Sequence, residues 1–343
     1  LSAKVLVSIV TYNSQQHLEA CFESLKMQSF RNFSVSLWDN ASTDATSVVI
    51  RDYSEILDSA QLSDRNLGFC AAHNRLIASS ASEYSLVLNP DVVLDSQFLE
   101  VLVREMDLDP SAGSATGKLL RSQSTGPQIL DSTGIYMTPN QRHLDRGSGE
   151  TDTGQYEKYE YVFGASGAAA LFRRTMLEDI RNGDEFFDES FFAYREDADL
   201  AWRAQWMGWR CIYVPDAIGY HGRRVLPENR AELPKEINMH SFKNRFLLRI
   251  KNMDPGTYAR FFIPITIRDT AALIHVLLRE RSSLRGAYHL MQAFPRTWAW
   301  RKSMKSQRRV TSRDIRSWFS YYPVAKPKSR TDRERNVVLS PSK

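Results

Sequence analysis

Residues 5–10 ("VLVSIV") are almost wholly apolar and rich in β-branched side chains, and the run stops at Thr11-Tyr12-Asn13. A short run of that evenness reads as a strand buried on both faces, the environment of a parallel sheet covered by helices. The next segment has the matching period. Leu18, Cys21, Phe22 and Leu25 recur at helical spacing behind Ser14, a suitable N-cap. A second strand runs through Trp38, a turn-rich loop leads into a helix over 46–57, and "SLVLNPDVVL" is another apolar strand, broken at Asn89-Pro90-Asp91. This βαβα order through about residue 95 predicts a doubly wound, mostly parallel α/β sheet. In such sheets the ligand lies beyond the carboxyl ends of the strands.

Three of those ends are polar: Thr11-Tyr12-Asn13, Asp39-Asn40 and Asn89-Pro90-Asp91. Asn, Asp and Pro favour turns in any case, but three such ends together point to a nucleotide-binding rim. No G-x-G-x-x-G follows the first strand and no G-x-x-x-x-G-K-[ST] is present, which argues against a dinucleotide fingerprint and excludes a P-loop. Farther on, 110–165 reads as hairpin strands with long loops, and "YVFGASGAAALFRRTML" as a Gly-rich turn, a strand and a helix. "GWRCIYVPDAIGYHG" reads as a strand pair ending at His221, and 235–320 as mainly helical. Between them lies "FFAYREDADLAWR", an aromatic run that meets Arg195, Glu196, Asp197 and Asp199. Asp199 and Arg203 stand at i, i+4, the spacing of an ion pair, and Leu200, Ala204 and Met207 form a buried stripe stopped by Gly208.

The stretches "VSIVTYN", "LWDNASTDAT", "RNLGFCAAHN", "LVLNPDVVL", "GASGAAALFRR", "FFDESFFAYREDADLAWRAQWMGW" and "YH", in that order over roughly 4–225, resemble the inverting glycosyltransferases of family 2. The likeness is to the bacterial rhamnosyltransferase branch, and "HSFKNRFLLRIKN" resembles the helix that follows the catalytic domain there. The resemblance implies a GT-A-type nucleotide-diphospho-sugar transferase fold, with a mostly parallel central sheet and a helical C-terminal extension. The division expected is a catalytic domain over 1–230, a basic helical region over 231–322 and a flexible tail over 323–343.

It also implies a donor, a metal and a base. Thr11, Asn13, Asp39, Asn40, Asn66 and Gly68 match positions lining the nucleotide pocket, and Asp39 would accept the imide N–H of uracil or thymine. Many relatives carry an acid where this chain has Asn40. Asp91 matches the last acid of the family's D-x-D, whose first position is here Asn89, and His221 matches a metal-ligating histidine. A leaving diphosphate calls for a divalent cation, Mn²⁺ or Mg²⁺, and imidazole favours the former. Of two adjacent helical residues, about 100° apart, only one faces the sugar. The resemblance selects Asp197 as general base, with Glu196 binding acceptor or orienting the loop. Ser166, in the small-residue loop 164–169, would hydrogen-bond sugar. Trp202, Trp206 and Trp209 are either sugar-stacking or core residues, and Arg223 and Arg224 either reach diphosphate or are solvated. The expected reaction moves a sugar, best L-rhamnose from dTDP-L-rhamnose, to a hydroxyl of a glycan or polyprenyl-diphosphate-linked glycan in cell-envelope polysaccharide synthesis. The alternatives are another UDP or dTDP sugar, or a catalytically weak carbohydrate-binding protein on the same fold.

Charge adds a location. Residues 279–343 hold 17 Lys/Arg against four Asp/Glu and the remainder 28 against 36, so a body of −8 carries a tail of +13. Alternating cations and aromatics in that tail suit an anionic membrane surface, and the catalytic motifs argue against nucleic acid. The nearest approach to a membrane span, 261–278, is interrupted by Pro264, Arg268, Asp269 and His275 and reads as a buried or surface-lying helix. Cys21, Cys70 and Cys211 lack CxxC spacing and suit a reducing compartment. The expectation is a cytoplasmic protein, peripheral on the inner face of the membrane. No signal-peptide pattern opens the sequence, which starts at Leu1 and leaves an earlier segment open. A nucleotidyltransferase would need a Gly-rich basic loop where "TYNSQQ" stands, and a processive synthase would need membrane spans and Q-x-x-R-W.

Overall fold

The computed structural model describes residues 2–122, 125–223 and 235–321. The expected boundary at 230/231, the tail over 323–343 and Arg224 lie outside the described residues. The chain begins β1 (Val5–Thr11), α1 (Gln15–Lys26), β2 (Phe33–Asp39), α2 (Thr46–Asp52), β3 (Ser59–Leu62), α3 (Gly68–Ala78), β4 (Tyr84–Leu88), β5 (Val92–Leu94) and α4 (Phe98–Leu108). It continues through β6 (Ala112–Arg121), β7 (Leu130–Ser132), β8 (Ile135–Met137), β9 (His143–Asp145), β10 (Glu160–Val162), β11 (Ala169–Arg173), α5 (Arg174–Ile180), α6 (Glu196–Trp206) and β12 (Arg210–His221). Five helices follow: α7 (Lys235–Asn252), α8 (Pro255–Arg260), α9 (Phe262–Arg279), α10 (Arg285–Gln307) and α11 (Ser312–Arg316).

The main sheet has the order β10-β12-β6-β11-β4-β1-β2-β3. Strands β3, β2, β1 and β4 are mutually parallel, β12 is parallel to β6, and β11 runs antiparallel between β4 and β6. The chain leaves β1 for β2 and β3 on one side and returns to lay β4 on the other, so β1 borders the switch point where ligands bind such sheets. The opening run is buried on both faces: Val5, Val7 and Ile9 pack with α1 and α4, while Leu6 joins the opposite cluster, with Cys70 and Ile77 of α3.

Two elements differ from the sequence reading. Helix α2 stops at Asp52, because Asp58 already exchanges hydrogen bonds with Val35 at the entry to β3. "GWRCIYVPDAIGYHG" is one strand with a register shift between Val214 and Ile218. Pro215 has no N–H for the ladder, so the strand bulges there and continues instead of turning back.

The C-terminal helices share the core of the α/β part. Leu247, Leu248, Ile265, Trp300, Met304 and Phe319 belong to one apolar cluster with Leu200, Trp202 and Trp206 of α6. Helix α9 lies on the surface. Its outer face presents Phe262, Ile263, Ile267, Leu273, Ile274, Leu277 and Leu278, which are 45–70 % exposed. No described helix is long and apolar enough to cross a membrane.

Candidate active site

The carboxyl ends of β1, β2, β4 and β12 open on one edge of the sheet, as does the loop before the antiparallel β11. On the β1–β2 side the polar ends are tied together. Thr11 donates to Asp39 Oδ1 (2.7 Å), which also accepts from the Ser42 hydroxyl, while Oδ2 accepts from the Ser42 amide (2.9 Å). A carboxylate offers about four acceptor sites, and among the described residues three of those on Asp39 are filled, which holds it rigidly. Asn13, at φ 51°, donates from its backbone to Ser42 and accepts from Thr43 N (2.8 Å for each). Asn40 spans to the α3 entry, accepting from Leu67 N (3.1 Å) and donating to Gly68 O (3.2 Å). Asn66 accepts from Gly68 N at 2.8 Å.

Gly68 has φ +82°, and a Cβ there would sit 2.5 Å from the Phe192 ring. Its smallness therefore admits an aromatic of the "FFAYRED" loop. In the loop 164–169 a Cβ on Gly164 would lie 2.3 Å from Ala201 Cβ, so the glycine lets α6 approach. Ser166 is buried at the base of this loop, where its carbonyl accepts from Ala169 N.

At the β4 end, Asn89 N donates to Ala168 O, and Asp91 turns toward β12. His221 Nε2 stands 3.3 Å from Asp91 Oδ1, and its Nδ1 stands 2.7 Å from Asp131 Oδ2 on β7. Burial opposes charge on this imidazole, yet hydrogen bonds to Asp131 and Asp91 outweigh it and push its pKa up to about 9. Among the described residues no group of three or more His, Cys, Asp or Glu side chains is arranged to hold a metal.

The opening of α6 is strained into place. Phe192, Tyr194 and Arg195 all have φ between 67° and 73°, costly for residues with a Cβ. Asn244 of α7 holds them: its amide donates to the carbonyls of Phe191, Ala193 and Tyr194 at 2.9, 2.9 and 2.7 Å. This posture aims Asp197 at the loop before β11. Its Oδ1 accepts from Ala198 N (2.7 Å) and its Oδ2 from Gly167 N (3.3 Å). Burial, then the charge of Asp145, raises the Asp197 pKa to about 6, against the pull of those amides and of Arg195. Glu196 is buried deeper, and its Oε2 has no hydrogen-bond partner among the described residues. Burial, followed by the Asp197 and Asp199 charges, raises its pKa well above the carboxylate range. Both carboxyls are thus pushed upward, Glu196 by burial beside two acids, and Asp197 against two amides and Arg195 that favour its charge.

Trp202 and Trp206 are core residues, 0 % and 2 % exposed, and offer no face to a sugar, while the half-buried Trp209 packs at the edge of the same core and donates to Asp179. Arg223 pairs with Asp131 (3.1 Å) and Asp145 (2.8 Å). Sequence reading does not reach Asp131 or Asp145, which sit in the loop-rich 110–165 stretch without a motif. Asn244 lies in "HSFKNRFLLRIKN", where an amide on a helix marked only by resemblance is the sole signal.

The model of glycosyl transferase family 2 matches residues 6–181. The chain is 30 % identical over 245 residues, covering 63 % of this chain and 75 % of the relative, to an N-acetylglucosaminyl-diphospho-decaprenol L-rhamnosyltransferase of Mycobacterium tuberculosis. Among solved structures it is similar to S. aureus TarS (TM-score 0.54, 18 % identity, 89 % of this chain), of which it spans 52 %. It is also similar to the mannosyltransferase PcManGT from Pyrobaculum calidifontis in complex with GDP-Man and Mn²⁺ (TM-score 0.52, 14 % identity, covering 90 % and 86 % of the two chains).

Proposed function

The chain belongs to glycosyl transferase family 2 and is a glycosyltransferase on a GT-A fold, and from that premise we propose that it transfers L-rhamnose from dTDP-L-rhamnose, with inversion, to a hydroxyl of a diphosphate-linked lipid glycan. The observation that carries the reading is the placement of Asp197, whose carboxylate accepts from Gly167 N and Ala198 N at the strand-end rim beside the buried Glu196. Asp197 takes the acceptor hydroxyl proton as that oxygen attacks the anomeric carbon, and the nucleoside diphosphate leaves from the opposite face. The rhamnosyl group and the lipid diphosphate acceptor rest on the mycobacterial relative, whose name contains both. The rim of Thr11, Asn13, Asp39, Asn40, Asn66 and Gly68 is our proposal for the base and ribose, with Asn89 and Ser166 near the sugar.

Asp91 and His221 fit a divalent cation. A cation would take the place of the Nε2 proton, with Asp131 on Nδ1 keeping Nε2 toward Asp91, and donor phosphate oxygens would complete the shell. Such an ion, when bound, neutralises the leaving diphosphate. The Mn²⁺ beside GDP-Man in PcManGT supports this reading. Incubating the protein with dTDP-L-rhamnose, UDP sugars and GDP-mannose and Mn²⁺ should release nucleoside diphosphate fastest from dTDP-L-rhamnose. Preference for a UDP sugar would overturn the donor assignment alone, and silence with every sugar and metal would overturn the catalytic reading.

Association with the cytoplasmic face of an anionic membrane is part of the same proposal, but the surface responsible is not the whole basic tail. Arg296 and Arg309 pair with Glu185 and Asp179, Arg308 covers Trp206, and Trp300 is buried, so much of 279–321 is structural. The lipid-facing candidates are the apolar outer face of α9 and the Tyr288, Met291, Phe294 and Trp298 stripe of α10. Ile267→Glu with Ile274→Glu should abolish flotation of the full chain with anionic liposomes while leaving its thermal midpoint unchanged. Undiminished flotation would remove the membrane from the proposal.

A further inference from the structure

The turn that delivers the chain to Asp197 is of a rare kind. Ala193 N donates to Phe191 O at 2.9 Å, and the residue between them, Phe192, has φ 67° and ψ −65°. That is a γ-turn of the strained hand, seldom adopted by a residue with a Cβ. Tyr194 and Arg195 follow at φ 69° and 73°, so three of the four residues before Glu196 are left-handed. Strain of this kind persists only where the surroundings over-determine it. Asn244 restrains the carbonyls on either side of Phe192, and Phe192 itself is held by other partners.

Its carbonyl accepts from Cys70 N and its N–H donates to Glu189 O, at 3.1 Å for each. Two elements meet its ring. At the α3 entry, ring carbons stand 2.5 to 2.8 Å from the position a Cβ on Gly68 would take. From α7, the imidazole of His240 stacks on the ring, with 4.7 Å between centroids and 10° between planes. Burial, then the charges of Lys243 and His289, lower the His240 pKa to about 4, so the two rings stack without a charge at neutral pH. The first turn of α3 is the common support. Gly68 takes the ring of Phe192 and Cys70 its carbonyl, while the Phe69 ring comes within 3.8 Å of where a Cβ on Gly167 would be. Gly167 N is one of the two amides that donate to Asp197. Gly68 is in turn fixed in the strand-end rim, its carbonyl accepting from Asn40 and its N–H donating to Asn66.

We propose that Phe192 is a positioning residue: its ring, seated on Gly68 and stacked on His240, locks the γ-turn that aims Asp197 at the acceptor hydroxyl. The inference rests on the reading of Asp197 as base. Without the ring the strained hand of the turn loses what fixes it, the left-handed residues that follow relax with it, and the carboxylate moves off line. A displacement of about 1 Å from the reacting geometry costs up to roughly 100-fold in rate. Nucleotide binding is spared, because the rim keeps its own ties through Asn40 and Asn66.

Two measurements on the full chain test this: the kinetics of sugar transfer, and hydrogen exchange of the segment 188–198 without substrate. Phe192→Ala and His240→Ala should each lower kcat by roughly 10- to 100-fold and speed exchange of 188–198. Exchange of β1 and β4, dTDP affinity and donor KM should not change. His240→Phe, which keeps a neutral ring in the stack, should restore the wild-type rate and protection. A Phe192→Ala enzyme that keeps its kcat would overturn the proposal. So would a His240→Phe enzyme as slow as His240→Ala, which would make the imidazole itself the working group, and so would a loss in KM alone, which would make the ring a donor contact. Unchanged exchange in both alanine variants would overturn it whether or not any donor is turned over. Absence of turnover in a wild type whose turn depends on both rings would overturn the base assignment alone.

Discussion

Asp197→Asn should lower the rate of sugar transfer by roughly 100- to 10,000-fold, the range lost with a positioned general base, while dTDP affinity stays at the wild-type value. The asparagine keeps the size of the carboxylate and can accept from Ala198 N or Gly167 N, so the loop before β11 retains a partner. What it cannot do is take a proton. Glu196→Gln is the informative contrast. Burial and two neighbouring acids disfavour the charge of Glu196 and push its pKa well above the ordinary value, and a neutral amide is close in shape and polarity to a neutral acid. Its loss should stay within about tenfold, roughly 1.4 kcal/mol in the barrier. Equal losses in the two variants would show that the pair acts as a unit and would end the division of roles.

The pH profile follows from the same carboxyl. A base works when ionised, so kcat/KM should rise with pH and level off above about 6, the value to which burial and Asp145 raise Asp197. Stability runs the other way. A carboxyl whose folded pKa exceeds its unfolded one binds its proton more tightly when folded, so raising the pH from about 4 to 6 removes stability. Asp197→Asn should therefore resist urea at pH 7 at least as well as wild type. An inactive variant that is also less stable would point to misfolding and not to a lost base.

The parallel block of the sheet was legible because its cause is local. Both faces of β1 are buried, and a strand in that position has no room for alternation, so the run announces itself. The polar strand ends were legible for the same reason: Thr11, Asp39 and Asn89 sit within a residue or two of the apolar runs they terminate. What the sequence could not show are pairings across distance. His221 meets Asp131 over 90 positions, and Asn244 restrains a loop 50 residues before it. Neither contact has a periodicity or spacing to betray it. Trp202 and Trp206 show the opposite limit, since helical spacing is the same for a core stripe and a sugar platform, and only packing in the core shared with the C-terminal helices decides between them.

Asp199→Ala should destabilise the fold by roughly 3–5 kcal/mol, the cost of stripping one partner from a buried ion cluster. Asp199 is fully buried and serves three donors: Arg203 (2.9 Å) from its own helix, and Lys251 (2.8 Å) and Asn252 (2.7 Å) from α7. Lys251 also reaches Asp188 at 2.9 Å and lies over the Trp300 ring of α10. Alanine would leave Arg203 with only the carbonyls of Ile180 and Phe186 and Lys251 with one carboxylate, in a place water does not reach. The damage should spread beyond α6, since the cluster is where α7 is fastened and α7 carries Asn244. Chemical denaturation should show a lower midpoint. At denaturant-free temperatures where the variant is still folded, transfer should fall with dTDP binding retained, because the "FFAYRED" loop loses its brace while the β1–β2 rim does not touch the cluster. Asp199→Asn, which keeps the shape and the Arg203 contact but not the charge, should fall between. A variant as stable as wild type would mean that the C-terminal helices are held by apolar packing alone and that Asp199 is a passenger in the motif.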